Sequence, residues 1–199
     1  MATTGPDRPA GGGALATERL VLRPVAEGDF AEIATLAGDA RVAEWTARIP
    51  HPLERDDTVA WHGTLNRRGC GAGEYAFAVR LKADDTLIGC IGLTVADDER
   101  NAEIGYWIGI PYWDNGYATE AVRRMVMFGF GALRLARIEA PVFAGNARSA
   151  RVLEKAGFEA RGHAKLDAPA RGKAVDAVLY RMERADFARV ALSQAVGRA

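Results

Sequence analysis

Cysteine and histidine are scarce: Cys70, Cys90, His51, His62 and His163 are the full set in 199 residues. The cysteines form no C-x-x-C pair and the histidines have no ligand-like spacing, so no metal site is expected. Net charge is also lacking, with 26 Lys plus Arg against 26 Asp plus Glu. Nothing in the global charge therefore draws the chain to nucleic acid or to an anionic membrane. No run approaches the roughly 18 apolar residues of a membrane span. The stretch from Met1 to Ala16 has neither a basic n-region nor an apolar h-region, so no signal peptide is expected there. These absences predict a cytoplasmic, metal-free protein whose partners must be inferred from local chemistry.

What is present is an ordinary globular composition, 49% apolar and 26% charged residues with 22 glycines and 8 prolines, which predicts one domain over residues 17–199. The first 16 residues, with Gly5, Pro6, Pro9 and Gly11 to Gly13, have too few large apolar groups to offset ordering entropy and are expected to be a disordered tail. Order should begin with a strand at Arg19 to Val25. Asp29 and Glu32 have capping-box spacing before a helix carrying Phe30, Ile33, Leu36 and Ala37, with Gly38 as its stop. A second helix is expected from about Asp56 to Asn66. Tyr75 to Leu81, Leu87 to Val95 and Ala102 to Ile110 read as an antiparallel meander. A helix over Gly116 to Gly131, a strand over Arg137 to Phe143, a helix over Ala147 to Ala156, strands over Phe158 to Leu166 and Val175 to Met182, and a short amphipathic helix from Arg184 complete the order. The crossover helix makes the Ala102 and Arg137 strands parallel inside a mixed sheet, and the early meander argues against a doubly wound fold.

The chemistry concentrates between Glu103 and Glu120, where a strand meets Pro111, a turn with Asp114, Asn115 and Gly116, and a helix. Amides at a helix start are unsatisfied and, with the positive dipole end, suit a phosphate or pyrophosphate; glycine at 116 permits close approach. Asp114 and Asn115 could equally cap that helix. Other phosphate loops fail: Gly172-Lys173 lacks a glycine at the Walker spacing, and Gly71-Ala72-Gly73 precedes a strand pattern. A cradle without a lysine or a magnesium carboxylate suits binding a diphosphate better than cleaving a triphosphate.

Four separated segments, Thr17 to Pro24, Ala102 to Ile108, Pro111 to Ala121 and Asn146 to Phe158, resemble the GNAT acetyltransferase superfamily, in its RimJ/RimL-type branch of ribosomal-protein N-terminal acetyltransferases. The resemblance spans about residues 17 to 187. It implies an α/β fold of α+β type, with a mixed, mostly antiparallel, V-splayed sheet flanked by helices. It implies acetyl-CoA as cosubstrate and an amine acceptor, either a protein N-terminus or a small molecule, and is compatible with a homodimer. The family's pyrophosphate motif falls on Trp113 to Ala118, with Trp113 departing at a position usually Gln or Arg. The implied cofactor contacts are Ile108, Gly109 and Ile110 for the pantetheine arm, Asp114, Asn115, Gly116, Tyr117, Ala118 and Thr119 for the pyrophosphate, and Asn146 and Ser149 from the opposite side.

A second departure lies seven residues after Asn146, where many relatives carry a tyrosine that protonates the leaving thiolate and this chain has Leu153. Ser149, one turn earlier on the same helical face, is the candidate in its place, against an ordinary polar residue of the first turn or a water. Transfer to an amine requires the amine neutral. Glu103 matches a position where the family places a base, with a water-only route as its rival. Arg148 and Arg151, or Arg123 and Arg124, are candidates for the 3'-phosphate, although helical arginines are more often a solvated face. Trp45, Trp61, Tyr75 and Trp107 are candidates for an acceptor wall, although buried core is the commoner role. No cysteine lies in the matched segments, so direct attack in a ternary complex is implied. The alternative is a CoA-binding regulatory module that has lost transfer.

Overall fold

Strand pairing in the computed structural model, which describes residues 13–65, 73–187 and 189, follows chain order until a helix intervenes. Strands β1 (Leu15–Ala16), β2 (Leu20–Pro24), β3 (Glu74–Leu81), β4 (Leu87–Val95) and β5 (Asn101–Ile108) lie side by side and antiparallel. After helix α4 (Tyr117–Gly131) the chain returns as β6 (Arg137–Phe143), parallel to β5. Helix α5 (Ala147–Ala156), β7 (Glu159–Ala168) and β8 (Lys173–Glu183) follow, giving the sheet order β1-β2-β3-β4-β5-β6-β8-β7. The short helices α1 (Phe30–Ala37), α2 (Ala40–Ala43) and α3 (Arg55–Leu65) fill the β2–β3 connection. The mixed, mostly antiparallel sheet flanked by helices is the architecture expected above.

The burial pattern explains this layering. Leu87 to Ile91 of β4 are buried without interruption, as a strand covered on both faces requires. One cover is α1, through Phe30 and Ile33 against Leu87 and Cys90. The other is α4, whose Val122, Met125, Val126 and Phe128 join Phe77, Ile91 and Leu93 in the main core. β6 instead alternates, with Ile138, Ala140 and Val142 buried.

The parallel pair does not run the length of its strands. Register is kept at Asn101 with Arg137, Ala102 with Ile138 and Glu103 with Glu139, and stops there. The Ala144 N–H donates to Asp176 O, and the Arg184 N–H to Ala136 O. By alternation, even-numbered residues of β6 therefore bond β8, and odd-numbered ones turn their backbone toward β5. The next N–H that β5 would need belongs to residue 141, which is proline and has none. β5 stays anchored to β4 as far as Ile108, and β6 to β8 as far as Phe143. The gap between them opens into the V.

Several expectations are corrected locally. Leu15 and Ala16 are part of the sheet, paired with Leu22 and Val21, because Leu15 finds apolar cover; residues 1–12 lie outside the described residues. The strand expected to reach Ile110 ends at Ile108, where Ile110–Tyr112 form a 3₁₀ turn. Asp29 does not cap α1 as a box: its fully buried carboxylate accepts the Ala26 N–H and pairs with Arg23 at 2.8 Å and Arg80 at 2.7 Å. Helix begins at Arg184 as expected, but beyond residue 187 only residue 189 is described.

Candidate active site

The turn into α4 supplies the first half of the site. Asp114 and Gly116 both hold left-handed φ angles, 60° and 79°, and Gly116 is the residue before the helix, with no side-chain cap. The Asn115 side chain donates to Trp113 O at 2.8 Å, so neither Asn115 nor Asp114 caps the helix. The helical ladder starts with Glu120 N–H to Gly116 O at 3.1 Å. The amides of Tyr117, Ala118 and Thr119 are left pointing out of the helix start. A Cβ at Gly116 would meet nothing closer than Arg19 Nη2 at 3.6 Å, so glycine is required there by φ rather than by space.

Arg19 and Glu120 hold this turn from behind. Glu120 accepts from the Thr17 hydroxyl at 2.6 Å, the Arg19 N–H at 2.9 Å and the Arg19 guanidinium at 2.7 Å. Arg19 also donates to Asn115 O at 3.0 Å and lies over the Tyr117 ring. Burial raises the Glu120 carboxyl, but the hydroxyl, amide and guanidinium together bring it below its ordinary value. Trp113 donates its ring N–H to Ile108 O at 2.6 Å, and the Arg148 guanidinium stacks on its ring 4.5 Å from the centroid. The tryptophan at the motif's first position thus brings a cation beside the turn from α5. Arg123 and Arg124 are bound instead to Lys155 O and Ala16 O.

The opened V forms the middle of the site. Ala96 N–H donates to Asn101 O, and Gly109 N–H to Ile88 O. Odd-numbered residues of β5 therefore bond β4, and Ile104 and Tyr106 direct their backbone into the gap, as does the N–H of Ile108, whose carbonyl accepts the Trp113 ring N–H. Gly109 is buried, with its N–H and carbonyl bonded to Ile88 and Tyr112, and Ile110 O accepts from Trp113 N–H. Gly109, Ile110 and Asn115 are outside the cavity wall, whereas Ile108, Asp114, Gly116 to Thr119, Asn146 and Ser149 line it.

Across the gap, Asn146 caps α5 by accepting the Ser149 N–H at 3.0 Å. Leu153 is fully buried. Tyr106, which local sequence patterns did not single out, reaches from β5 to place its hydroxyl 2.9 Å from Ser149 Oγ and 3.3 Å from Ser149 O. Burial pushes this phenol up to about 12, against the lowering effect of the Ser149 contact. Strand alternation in Glu103-Ile104-Gly105-Tyr106, which sends Tyr106 to the α5 face, was the signal available in the sequence.

The second half lies on the other face of the sheet. Glu103 sits at the last residue pair before the strands part. Burial pushes its carboxyl up; Arg48 pulls it down, and Glu139 and Glu74 push it further up. Trp45, Trp61 and Trp107 line the same cavity as Glu103. Tyr75 is excluded from that wall: it packs edge-on against Phe128 on the α4 face. The wall segment 43–50 is held by Arg171, beside the β7–β8 turn, which donates to Thr46 O at 3.2 Å, Ile49 O at 2.8 Å and also Ala43 O. The Ala170 N–H adds a bond to Ala47 O at 3.1 Å.

Both halves border one cavity of about 940 Å³, running from Gly116 and Thr119 past Ser149 and Tyr106 to Glu103 and Trp45. Its features fit a phosphorylated carrier with a long polar arm: free amides at one end, a strand edge without a partner along the middle, and a carboxylate at the far end. Among the described residues no group of three or more His, Cys, Asp or Glu could hold a metal ion. No described helix is long and apolar enough to cross a membrane.

The model for the acetyltransferase (GNAT) domain matches residues 19–159. An uncharacterised N-acetyltransferase of Bacillus licheniformis, p20, is 28% identical over 183 residues, 87% of this chain and 98% of its own. Among solved structures, a GNAT-family acetyltransferase from Bacillus anthracis superposes with a TM-score of 0.73 at 27% identity, covering 86% of this chain and 98% of that one. Mycobacterium smegmatis RimJ in complex with CoA-disulfide gives 0.71 at 25% identity, covering 82% of this chain and 81% of that one.

Proposed function

The chain belongs to the GNAT acetyltransferase family, and from that premise we propose that it moves an acetyl group from acetyl-CoA to a primary amine by direct attack in a ternary complex. The acceptor is a protein N-terminus or a small-molecule amine. The observation that carries this reading is the single cavity joining the Gly116 turn to Glu103 through the parted strands.

In this reading the amides of Gly116 to Thr119 hold the pyrophosphate at the positive end of α4. The backbone edge at Ile104, Tyr106 and Ile108 holds the pantetheine arm, and one N–H of that edge polarises the thioester carbonyl. Bound acetyl-CoA supplies an activated acyl group. Glu103 takes the proton that the amine must lose, since an alkylammonium has no lone pair. A carboxyl raised by burial is a better base for that proton than a solvated one. Ser149 donates a hydrogen bond to the departing sulfur. The three tryptophans and Arg48 form the wall against which the acceptor rests.

The test is incubation with acetyl-CoA and a panel of amines, amino acids and peptides, following CoA thiol release. Release that depends on one class of amine supports the proposal and names the acceptor. Tight CoA binding with no release for any amine would favour the regulatory module.

A further inference from the structure

We propose that Tyr106 is a positioning residue for the leaving sulfur: its phenol donates to Ser149 Oγ and so turns the single Ser149 proton toward the thiolate. This rests on the reading of Ser149 given above and deepens it. The geometry begins with Ser149 being fixed twice, its N–H held by Asn146 Oδ1 at 3.0 Å and its Oγ 2.9 Å from the Tyr106 hydroxyl. A serine hydroxyl has one proton to give, and a free one rotates among several acceptors. If Ser149 donated to Tyr106, the Ser149 proton would not face the cavity, and the donor offered there would be the phenol of Tyr106 instead.

The reverse direction is favoured by chemistry. The Tyr106 phenol is the more acidic of the two hydroxyls and hence the better donor, and burial holds it protonated, its pKa up at about 12. Its alternative acceptor, Ser149 O at 3.3 Å, is farther than Oγ. With Tyr106 donating, Ser149 Oγ–H becomes a polarised donor on the cavity wall, since hydrogen bonds in a chain strengthen one another. Leu153, fully buried one turn on, contributes no hydroxyl to this face. In transfer the N–C bond forms, the C–S bond breaks, the amine proton goes to Glu103, and the sulfur leaves as a thiolate hydrogen-bonded by Ser149. It takes its proton from water on release, so neither hydroxyl is consumed.

The experiment reads the thiol of bound CoA and needs no acceptor. Thiolate absorbance of the CoA complex is titrated with pH against the complex with desulfo-CoA, for the wild type, Ser149→Ala, Tyr106→Phe and the double variant, with calorimetric affinity and melting temperature as controls. In the wild type the bound thiol should ionise at lower pH than free CoA. Ser149→Ala should cut the thiolate fraction at a given pH by about tenfold, the scale of one hydrogen bond to a charged group. Tyr106→Phe should cut it by about threefold, and the double variant should match Ser149→Ala. Replacing Tyr106 by 3-fluorotyrosine, a stronger donor, should move the titration the opposite way, a response no packing role would give. A shift with Ser149→Ala but none with Tyr106→Phe or fluorotyrosine overturns the role of Tyr106 alone. No shift with Ser149→Ala overturns the reading of Ser149 and this inference with it, and failure of wild type to bind CoA overturns the cofactor reading itself.

Discussion

At the end of the cavity where we propose that the pyrophosphate binds, the chain works within two short stretches, residues 113–119 and 146–149, and relies mainly on backbone: free amides, a left-handed glycine and a capped helix start. The acceptor side draws on Trp45, Trp61, Glu74, Glu103 and Trp107, brought together from α2 to β5 and braced by Arg171 from beyond β7. A backbone cradle is fixed by local turn chemistry and suits one invariant ligand. A wall of side chains on a braced loop can be altered residue by residue without disturbing the cradle. Under the proposed function, this difference gives one half a fixed chemistry and makes the other the place where specificity is set.

The largest expected effect separates chemistry from both kinds of binding. Glu103→Gln should lower kcat at neutral pH by about 100-fold and leave CoA affinity nearly unchanged. Raising the pH should restore part of the rate by deprotonating the acceptor in solution. Because burial raises the Glu103 pKa, its active carboxylate form is lost at a higher pH than an ordinary glutamate would be. The acid limb of the wild-type rate profile should be displaced upward accordingly and be absent from the variant. A variant with the wild-type profile would return Glu103 to the role of a strand residue.

Gly116→Ala attacks the cradle. At φ 79° a Cβ is torsionally strained, by about 1–2 kcal/mol, although the nearest atom would be 3.6 Å away. Affinity for CoA and acetyl-CoA, and the thermal protection each gives by mass action, should fall by roughly tenfold. The acceptor KM should stay put. Equal calorimetric affinities would show that the turn can bind its ligand in another conformation.

Arg171→Met makes the complementary cut. Removing the guanidinium takes a donor from Thr46 O and Ile49 O and one of the three donors from Ala43 O, which keeps those of Thr46, and loosens the wall carrying Trp45 and Arg48. The acceptor KM should rise about fivefold, with the acetyl-CoA KM unaltered. A rise in both would mean that the two halves are mechanically coupled.

The same contrast governs what could be read from sequence. The order of the longer strands and helices and the Gly116 turn follow from patterns within a dozen residues, and the structure has them there, whereas β1, α2 and the capping of α5 by Asn146 emerge only in the structure. The V itself was expected from resemblance, but its local cause is Pro141, a proline opposite the point where β5 needs a donor. Seeing that requires the register of three strands at once. Asp29 carried a capping-box spacing, yet two arginines from β2 and β3 claim its carboxylate, a tertiary contact stronger than the local motif. Gly109 and Ile110 were expected to continue the strand, but β5 ends at Ile108, and a hydrogen bond to Ile88 and the 3₁₀ turn engage them. The clamp by Arg171, more than 120 residues from the loop it holds, left no trace in local periodicity.

The smallest effect concerns the brace behind the cradle. Glu120 stands in the first turn of α4, and its partners give it a structural role, tying Thr17 and Arg19 to the turn. Its folded pKa lies below the ordinary value, so the stability it contributes is full above that value and fades as pH falls through the folded one. Arg19 is nearly half exposed, so screening keeps the contribution to about 1 kcal/mol. Glu120→Gln should therefore unfold at slightly lower urea than the wild type near neutral pH, with the two curves converging as pH falls through the lowered pKa of Glu120. CoA affinity should weaken by about twofold through the slackened turn, and the rate of transfer from bound acetyl-CoA should be unchanged. A stability gap that persists in acid would assign Glu120 to packing, whereas a fall in single-turnover rate with intact CoA affinity would bring it into the chemistry.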